Sequence, residues 1–273
     1  MIIYKIISLI ARYYPFERGR MRCFLELFFR KKGEFILANL KNPILMKAGF
    51  KMFTFERDFL SLWYRLYRHY EPETIDFLRR TLRSESVFLD LGSNLGFFSL
   101  ISQKIQPTCQ VIAIEASPIT YDLLTQSIAA NGFSNNIKAF NKAVCDQNTE
   151  IDFFINTTNS GDSCMISTPN EKTTKVTIKG VSLDEDSDFF EALGDKKIDL
   201  IKMDIQGAEL SALKGMIKLL KKHRPIILLE FDETSMRRFN YTPEDFLSFM
   251  KSIDYSVSEK FDLNLVFTPF IDQ

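Results

Sequence analysis

The chain has 273 residues, of which 45% are hydrophobic and 26% are charged. This composition excludes a disordered protein, and the length suffices for one sizeable α/β domain with an extension or for two small domains. Basic and acidic residues both number 35, so no field of the whole chain attracts nucleic acid. The four cysteines are far apart and form no CxxC pair or Cys/His cluster, which predicts a reduced, cytoplasmic chain.

The first 33 residues are basic, with eight lysines and arginines against two glutamates. They open with an apolar stretch that Lys5 and Arg12 interrupt, which is too short to cross a bilayer and is followed by no small-residue cleavage site. An amphipathic helix packed on the protein is favoured, and a peripheral helix on the inner, anionic membrane surface stays open. The pattern of residues 1–50 predicts one or two helices. We assign residues 1–70 to a basic, aromatic-rich extension and residues 71–273 to the main domain.

The main domain alternates apolar runs of strand length with helical patterns. This alternation is typical of a mostly parallel sheet with helices on both faces. A β excursion around a polar loop at 156–165, which could be a hairpin or a lid, interrupts it. The predicted sheet strands are 87–90, 110–117, 137–144, 198–205 and 225–231, followed by two final strands joined through Asp262. The predicted helices include one after Glu71-Pro72, 118–131 closed by Asn131-Gly132, 208–222, and one capped by Thr242.

The stretch VFLDLGSNLGFFSL, residues 87–100, is a strand, a glycine-containing turn and a helix start. Such a turn leaves backbone N–H groups free to bind a polar ligand. From Gly92, the spacing of a dinucleotide fingerprint would place glycines where Asn94 and Phe97 stand, and the sequence contains no P-loop motif. Asp90 before the turn would repel a pyrophosphate but tolerates the ammonium and sulfonium groups of S-adenosylmethionine.

Carboxylates end four of the five predicted strands, namely Asp90, Glu115, Asp204 and Glu230. Ligands of open parallel sheets bind outside the carboxyl ends of the strands, where the strand order reverses. The four side chains therefore predict one shared polar crevice. Glu115 would accept hydrogen bonds from two ribose hydroxyls. Both NAD and S-adenosylmethionine carry such a ribose, so this contact does not distinguish them.

The motifs VFLDLGSNLGFFSL, AIEASP, IKMDIQGAELSALKG and ILLEF, with YEPETIDFL before them, resemble the FkbM-type family of S-adenosylmethionine-dependent methyltransferases. The resemblance covers residues 70–231. It implies a class I methyltransferase (Rossmann-like) α/β fold with seven strands, one of them antiparallel, and methyl transfer to an oxygen. Where the family often has Glu before the glycine of the fourth motif, this chain has Gln206, so no charge acts there.

The resemblance also implies which residues contact the cofactor. Asp90, Gly92, Ser93, Asn94 and Gly96 would form the cofactor turn, Glu115 would hold the ribose, Ala143 and Val144 would lie near the adenine, and Tyr70 and Glu71 would precede the turn.

Four residues are candidates for catalysis. Lys202 and Asp204 share one face of a strand, and a lysine in so apolar a run needs an acidic partner. We hypothesise that Asp204 contacts the acceptor as base or orienting group and that Lys202 fixes it. Glu230 and Glu209 are alternative bases, although an acid in the first turn of a helix, as Glu209 would be, is favoured without any catalytic role. No metal is assigned, though Asp204 and Glu230 would suit Mg²⁺.

The sequence thus predicts an S-adenosylmethionine-dependent methyltransferase, acting on a hydroxyl of a sugar, glycolipid or secondary metabolite. The basic first segment favours a phosphorylated or lipid-linked acceptor and permits peripheral membrane contact through residues 1–33. A nucleic-acid acceptor is disfavoured, because the charge is neutral and the chain has DIQG where such enzymes carry [DNS]PP[YF]. Two alternatives stay open: an NAD(P)-linked enzyme, and a non-catalytic protein of this fold that docks on a membrane or partner.

Overall fold

The computed structural model describes residues 42–56, 58–167 and 172–270. The helices predicted within residues 1–41 lie outside the described residues. The strands are β1 (Ile44–Leu45), β2 (Lys51–Met52), β3 (Val87–Leu91), β4 (Gln110–Glu115), β5 (Ile137–Asn141), β6 (Ala143–Val144), β7 (Thr149–Asn156), β8 (Thr173–Val181), β9 (Ile198–Met203), β10 (Ile226–Glu230), β11 (Tyr255–Phe261) and β12 (Asn264–Pro269). The helices are α1 (Phe59–Tyr67), α2 (Pro72–Thr81), α3 (Phe97–Ile105), α4 (Pro118–Asn131), α5 (Ser187–Leu193), α6 (Glu209–Lys214), α7 (Ile217–His223), α8 (Glu233–Arg238) and α9 (Pro243–Ser252).

A seven-stranded sheet in the order β11-β12-β10-β9-β3-β4-β5 forms the centre of the fold. β12 runs antiparallel to both of its neighbours, while β10, β9, β3, β4 and β5 pair in parallel. The central strands are apolar runs because helices cover both faces of a parallel sheet, and every residue of β3 is buried. The predicted fold, including its single antiparallel strand, is confirmed. The strand order reverses at β3, which lies between β9 and β4.

The predicted third strand, residues 137–144, is wrong in its length. β5 ends at Asn141, whose side-chain amide donates to the carbonyls of Glu115 and Ala116 at 2.8 and 3.0 Å. The chain leaves the main sheet at Lys142, and β6 pairs instead with β8 in a separate three-stranded sheet of order β6-β8-β7. This sheet is the predicted β excursion.

The predicted helix over 208–222 is also wrong, because it consists of two short helices, α6 and α7, on either side of Gly215. A Cβ at Gly215 would lie 1.9 Å from the carbonyl oxygen of Cys145, so only glycine permits this approach. The carboxylate of Asp184 then accepts the backbone N–H groups of Lys218 and Leu219 at 2.8 and 2.9 Å and begins the second helix.

The described part of the extension differs from the helices predicted up to residue 50, since residues 44–52 form the β1-β2 hairpin. Alternate hairpin residues are buried: Phe50 and Met52 are fully covered, and the Phe50 ring contacts that of Phe97 edge to face at 5.7 Å. This part of the chain therefore packs into the same apolar core as α3. The domain boundary at residue 70 stays a prediction.

An aromatic cluster links the extension to the turn after β3. Tyr64 of α1 stacks on Phe97 at 5.5 Å, and Tyr70 contacts both Phe97 and Phe98 with ring centroids 5.9 and 6.1 Å apart. These contacts hold α1 and the start of α2 over the carboxyl ends of the strands. Among the described helices, none is both long and apolar enough to cross a membrane.

Candidate active site

Two neighbouring cavities, which share lining residues, lie at the carboxyl ends of β3, β4, β9 and β10. The larger has a volume of about 770 Å³, within the usual range for ligand sites, and the smaller has about 50 Å³. Both are lined by Gly92, Asn94, Gly161, Asp204 and Gln206. Three of the four strand-end carboxylates, Glu115, Asp204 and Glu230, line these two cavities, which we call the large and the small lobe, whereas Asp90 lines neither.

The glycine turn after β3 is held tightly against the end of β9. Gly92 has a φ of +74°, and a Cβ there would lie 1.9 Å from the carbonyl oxygen of Asp204. The N–H groups of Gly92 and Ser93 both donate to the carbonyl of Ile114 in β4, at 2.9 and 3.1 Å. Because the turn is fixed on both sides, its remaining polar atoms have defined positions relative to the cavities.

Two polar atoms at this turn are buried without a hydrogen-bond partner. They are Ser93 Oγ, of a residue that lines the large cavity, and Asp90 Oδ1, which lies beneath the turn. The other carboxylate oxygen of Asp90 accepts from Ser99 Oγ at 2.5 Å. Burial raises the pKa of Asp90, although Lys202 beside it acts in the opposite direction. Buried polar groups rarely lack partners, so the turn retains hydrogen-bonding capacity for a polar ligand.

The small lobe contains Glu115, Ala143 and Val144. Each oxygen of Glu115 accepts one backbone N–H, from Asn94 and from Ser117, both at 2.8 Å. Each oxygen retains a lone pair for a ligand hydroxyl, as a ribose contact requires. Burial raises the pKa of Glu115 to about 7.

Sequence reasoning did not find Lys142, which also lines the small lobe. Its ammonium group pairs with Asp186 and Asp188 at 2.8 and 2.6 Å. Because the lysine leaves the main sheet at the end of β5, its side chain fixes the wall of the lobe to the start of α5. Nothing in the local pattern marks this residue, since its partners are more than 40 residues away in the chain.

The polar loop between β7 and β8 covers both lobes. Its Ser160 donates its N–H to Asp58 Oδ1 at 2.6 Å and its hydroxyl to Asp58 Oδ2 at 3.2 Å. The carbonyl of Ser160 accepts from the amide of Asn94 at 3.3 Å. The loop is therefore attached on one side to the N-cap of α1 and on the other to the glycine turn. With the loop in this position, the small lobe has room for only a few water molecules.

Lys202 is the central cation of the large lobe. Its side chain is 4% exposed, and its ammonium group lies 3.3 Å from Asp204 Oδ2 and 4.8 Å from the centre of the Phe98 ring. Burial opposes the positive charge, but nearby carboxylates, led by Asp204 and Asp90, raise the pKa of Lys202 above its ordinary value. The predicted pairing of Lys202 with Asp204 is present in the structure.

Asp204 and Glu230 form a carboxyl pair at the ends of β9 and β10. Gln206 bridges them, because its amide donates to Asp204 Oδ1 and to Glu230 Oε2 at 3.1 Å each. The charge of Asp204, together with burial, raises the pKa of Glu230 to about 10. Burial disfavours charge on Asp204 as well, but Lys202 outweighs it and lowers the pKa of Asp204. Asp204 is therefore the ionised member of the pair, and Glu230 holds the proton.

Tyr70 and Glu71 line the large lobe on the side of α2. Glu71 Oε2 accepts from the hydroxyl of Thr74 at 2.8 Å, which fixes the carboxylate at the start of the helix. Burial raises the pKa of Glu71 although Lys202 lowers it. Burial also raises the pKa of Tyr70, so its hydroxyl is a neutral donor.

Three predicted residues do not line either cavity. Asp90 is buried below the turn, Gly96 begins α3 with its N–H bonded to Ser93 at 2.9 Å, and Glu209 is 3% exposed. Glu209 accepts the N–H groups of Ile205 and Gly207 at 3.1 and 3.2 Å, so it stabilises the loop after β9. Its role as a base, like every residue role assigned above, stays a prediction.

The aromatic wall of the large lobe includes Phe59, Trp63 and Tyr64 from α1, which no motif in the sequence marks as site residues. Their spacing along a helix is that of core residues, and only the fold shows that they face a cavity. Among the residues that the structure describes, no group of three or more His, Cys, Asp or Glu side chains could hold a metal ion.

A family model described as the methyltransferase FkbM domain matches residues 90–257. The chain belongs to the FkbM methyltransferase family. The predicted family, with S-adenosylmethionine as its cofactor, is thereby confirmed.

The methyltransferase sdnD of Sordaria araneosa is 26% identical over 162 residues, which are 50% of this chain and 62% of that protein. The hexuronic acid methyltransferase AglP of Haloferax volcanii is 26% identical over 158 residues, 58% of this chain and 61% of that protein. The chain thus spans about three fifths of each curated relative. A crystal structure of methyltransferase FkbM from Methylobacillus flagellatus KT is 21% identical with a TM-score of 0.47, covering 77% of this chain and 53% of that one.

The polar groups of this site match those of S-adenosylmethionine, although the small lobe, at about 50 Å³, admits the adenosine portion only when the loop at Ser160 moves away from it. The Ser93 hydroxyl would be a donor for the carboxylate of the methionine portion. Glu115 would accept from the ribose hydroxyls through its remaining lone pairs. The carboxylates of the large lobe compensate the positive charge of an ammonium and a sulfonium group.

Proposed function

We propose that the protein transfers a methyl group from S-adenosylmethionine to a hydroxyl oxygen, on a sugar, glycolipid or secondary metabolite. The observation that carries this proposal is the Asp204 carboxylate, which Lys202 and Gln206 hold between the donor turn and an open lobe large enough for a second molecule. The glycine turn lies on one side of Asp204, with Gly92 in van der Waals contact with its backbone, and the aromatic wall lies on the other.

The cofactor supplies an electrophilic methyl carbon on a positively charged sulfur. The acceptor oxygen forms the new C–O bond while the S–C bond breaks, and S-adenosylhomocysteine leaves as a neutral thioether. The hydroxyl proton passes to Asp204, whose carboxylate Lys202 and Gln206 hold in place at 3.3 and 3.1 Å. Alignment of the reactants and a general base both lower such a barrier, the base by about 10²–10⁴-fold.

Glu230 supports this role by holding a proton of its own. With a pKa of about 10 it stays neutral at physiological pH, so Asp204 alone carries the negative charge of the pair. The Gln206 side chain does not titrate, and it holds the two carboxyl groups beside each other whichever of them carries the proton. A glutamate at this position would add another negative charge to a pair that already shares one proton.

The experiment is a transfer assay with S-adenosylmethionine labelled with ¹³C in the methyl group. Methyl glycosides and polyhydroxylated natural-product acceptors serve as substrates, with the Asp204→Asn variant as the matched control. We expect a labelled methyl carbon with the chemical shift of an O-methyl group in products of the natural enzyme only. A label found on nitrogen or carbon would contradict O-methylation.

A further inference from the structure

The loop between β9 and α6 has a strained backbone. Gln206 has a φ of +55° and Gly207 has a φ of +101°. The left-handed region costs a residue with a side chain roughly 1–2 kcal/mol, so Gln206 keeps this conformation only when its surroundings impose it. A Cβ at Gly207 would lie 2.4 Å from the carbonyl oxygen of Ser235, so the loop also packs closely against α8. Because the Gln206 amide joins Asp204 to Glu230, whatever imposes this backbone also places that amide.

The buried carboxylate of Glu209 binds this loop on both sides of Gln206. Its Oε1 accepts the backbone N–H groups of Ile205 and Gly207 at 3.1 and 3.2 Å. The hydroxyl of Tyr241 lies 3.2 Å from Glu209 Oε2 and 2.9 Å from the carbonyl oxygen of Gly207. These hydrogen bonds end on the two neighbours of Gln206 in the chain, so together they fix the backbone from which its side chain projects.

We infer that Glu209 is a positioning residue, which acts through the loop to hold the Gln206 amide between the two carboxyl groups of the pair. The inference rests on the proposed function, in which this amide keeps Asp204 in place to accept the proton. It also replaces the candidate role of Glu209 as a base, because both of its oxygens contact protein groups and the residue lines neither cavity. Misplacement of a catalytic group by about 1 Å can cost about 10²-fold in rate, so a residue outside the cavities can still limit turnover.

The variant Glu209→Gln separates positioning from proton transfer, because glutamine cannot act as a base. Its carbonyl oxygen can accept the same two backbone N–H groups, and its amide can donate to the hydroxyl of Tyr241. Burial raises the pKa of Glu209 to about 7, so the neutral form that glutamine resembles is already populated near neutral pH. Glu209→Ala removes all of these bonds. Asp184→Ala is the matched control, since Asp184 also accepts two backbone N–H groups, those of Lys218 and Leu219, and lines neither cavity.

The first measurement observes the Gln206 amide by NMR and needs no activity. The full chain is labelled with ¹⁵N in its glutamine side chains, and the signal of Gln206 is identified by its absence from Gln206→Ala. In the natural protein this amide should exchange its protons with water slowly, because it donates to two carboxyl groups. Glu209→Ala should speed the exchange at least about fivefold, whereas Glu209→Gln and Asp184→Ala should leave it within about twofold of the natural rate.

The second measurement is turnover of an acceptor that the natural enzyme methylates, together with calorimetric binding of S-adenosylhomocysteine. Glu209→Ala should lose about 10- to 100-fold in turnover while its affinity for S-adenosylhomocysteine stays within a fewfold of the natural value. Glu209→Gln should retain turnover within a fewfold of the natural rate. In the Gln206→Ala background, Glu209→Ala should cost little further turnover, because the two residues act through one contact.

The outcomes separate this inference from the proposed function. Unchanged exchange of the Gln206 amide, or unchanged turnover, in Glu209→Ala overturns the inference. Loss of turnover in Glu209→Gln with natural Gln206 exchange also overturns it, because that result assigns proton transfer to Glu209. If Glu209→Ala does not fold, Tyr241→Phe replaces it and should speed the exchange about two- to fivefold, and an unchanged rate overturns the inference. Full turnover in Asp204→Asn would instead contradict the proposed function, and the NMR measurement would still decide where Glu209 acts.

Discussion

Replacement of Lys202 by methionine removes the buried cation that the surrounding carboxylates depend on. At an effective dielectric constant of about 20, two unit charges at the 3.3 Å that separates Lys202 Nζ from Asp204 Oδ2 interact by about 5 kcal/mol. Breaking a buried pair by removing one partner typically costs about 3–5 kcal/mol, and total stability is about 5–15 kcal/mol. We therefore expect Lys202→Met to lose about 3–5 kcal/mol of unfolding free energy near neutral pH.

The assay is urea unfolding at pH 7 and at pH 5. Without Lys202, the folded-state pKa of Asp204 rises above its unfolded value, so the variant is least impaired at low pH, where Asp204 accepts a proton. Lys175→Met is the control, because it removes an ion pair with Asp152 that is shorter, at 2.7 Å, but has side chains 57% and 53% exposed. The control should lose less than about 1 kcal/mol. Equal losses in the two variants, or a loss in Lys202→Met that is independent of pH, would refute the reasoning.

Three further predictions concern the proton, the donor and the loop. Folded Glu230 keeps a proton up to a pKa of about 10, whereas the unfolded chain releases it near 4.5. The unfolding free energy of the natural protein should therefore fall, relative to that of Glu230→Gln, by about 1.4 kcal/mol per pH unit between pH 7 and pH 9. Urea unfolding that shows the same pH dependence for both proteins would contradict this. Glu115→Gln should weaken S-adenosylmethionine binding about 10- to 100-fold in calorimetric titration, and unchanged affinity would exclude the ribose contact. Asp58→Ala should release S-adenosylhomocysteine faster in stopped-flow measurements by freeing the loop at Ser160. The control variant Thr242→Ala loses a comparable helix cap, worth about 1 kcal/mol, and should release S-adenosylhomocysteine at the rate of the natural protein. Equal release rates in the two variants would contradict the role of the loop as a lid.

The strands of the central sheet could be predicted because they are short, mostly apolar runs, and four of the five predicted strands end in a carboxylate. Asp90, Glu115, Asp204 and Glu230 all proved to lie at one edge, since parallel strands place their carboxyl ends together. Local patterns failed where a distant contact decides the backbone. The break at Gly215 depends on the carbonyl of Cys145, about 70 residues earlier in the chain, and no helical periodicity encodes it.

The division of the site into two lobes could not be predicted from the sequence. It depends on the loop at Ser160, which Asp58 anchors from a position 102 residues away. The aromatic residues of α1 have the spacing of core residues, and Tyr64 does belong to the core, while the same helix also supplies Trp63 to the cavity wall. Glu209 illustrates the opposite case, because a first-turn acid that was a candidate base binds two backbone N–H groups of its own loop.

In the proposed mechanism, Asp204 accepts the proton in the chemical step and does not contribute to cofactor binding. The most direct measurement compares Asp204→Asn with the natural enzyme in two assays: calorimetric binding of S-adenosylhomocysteine, and turnover of an acceptor that the natural enzyme methylates. We expect Asp204→Asn to bind S-adenosylhomocysteine within a fewfold of the natural affinity and to lose about 10²–10⁴-fold in turnover. Asparagine keeps the hydrogen bond to Gln206 but cannot take a proton. Unchanged turnover, or a loss of affinity that matches the loss of turnover, would contradict this mechanism.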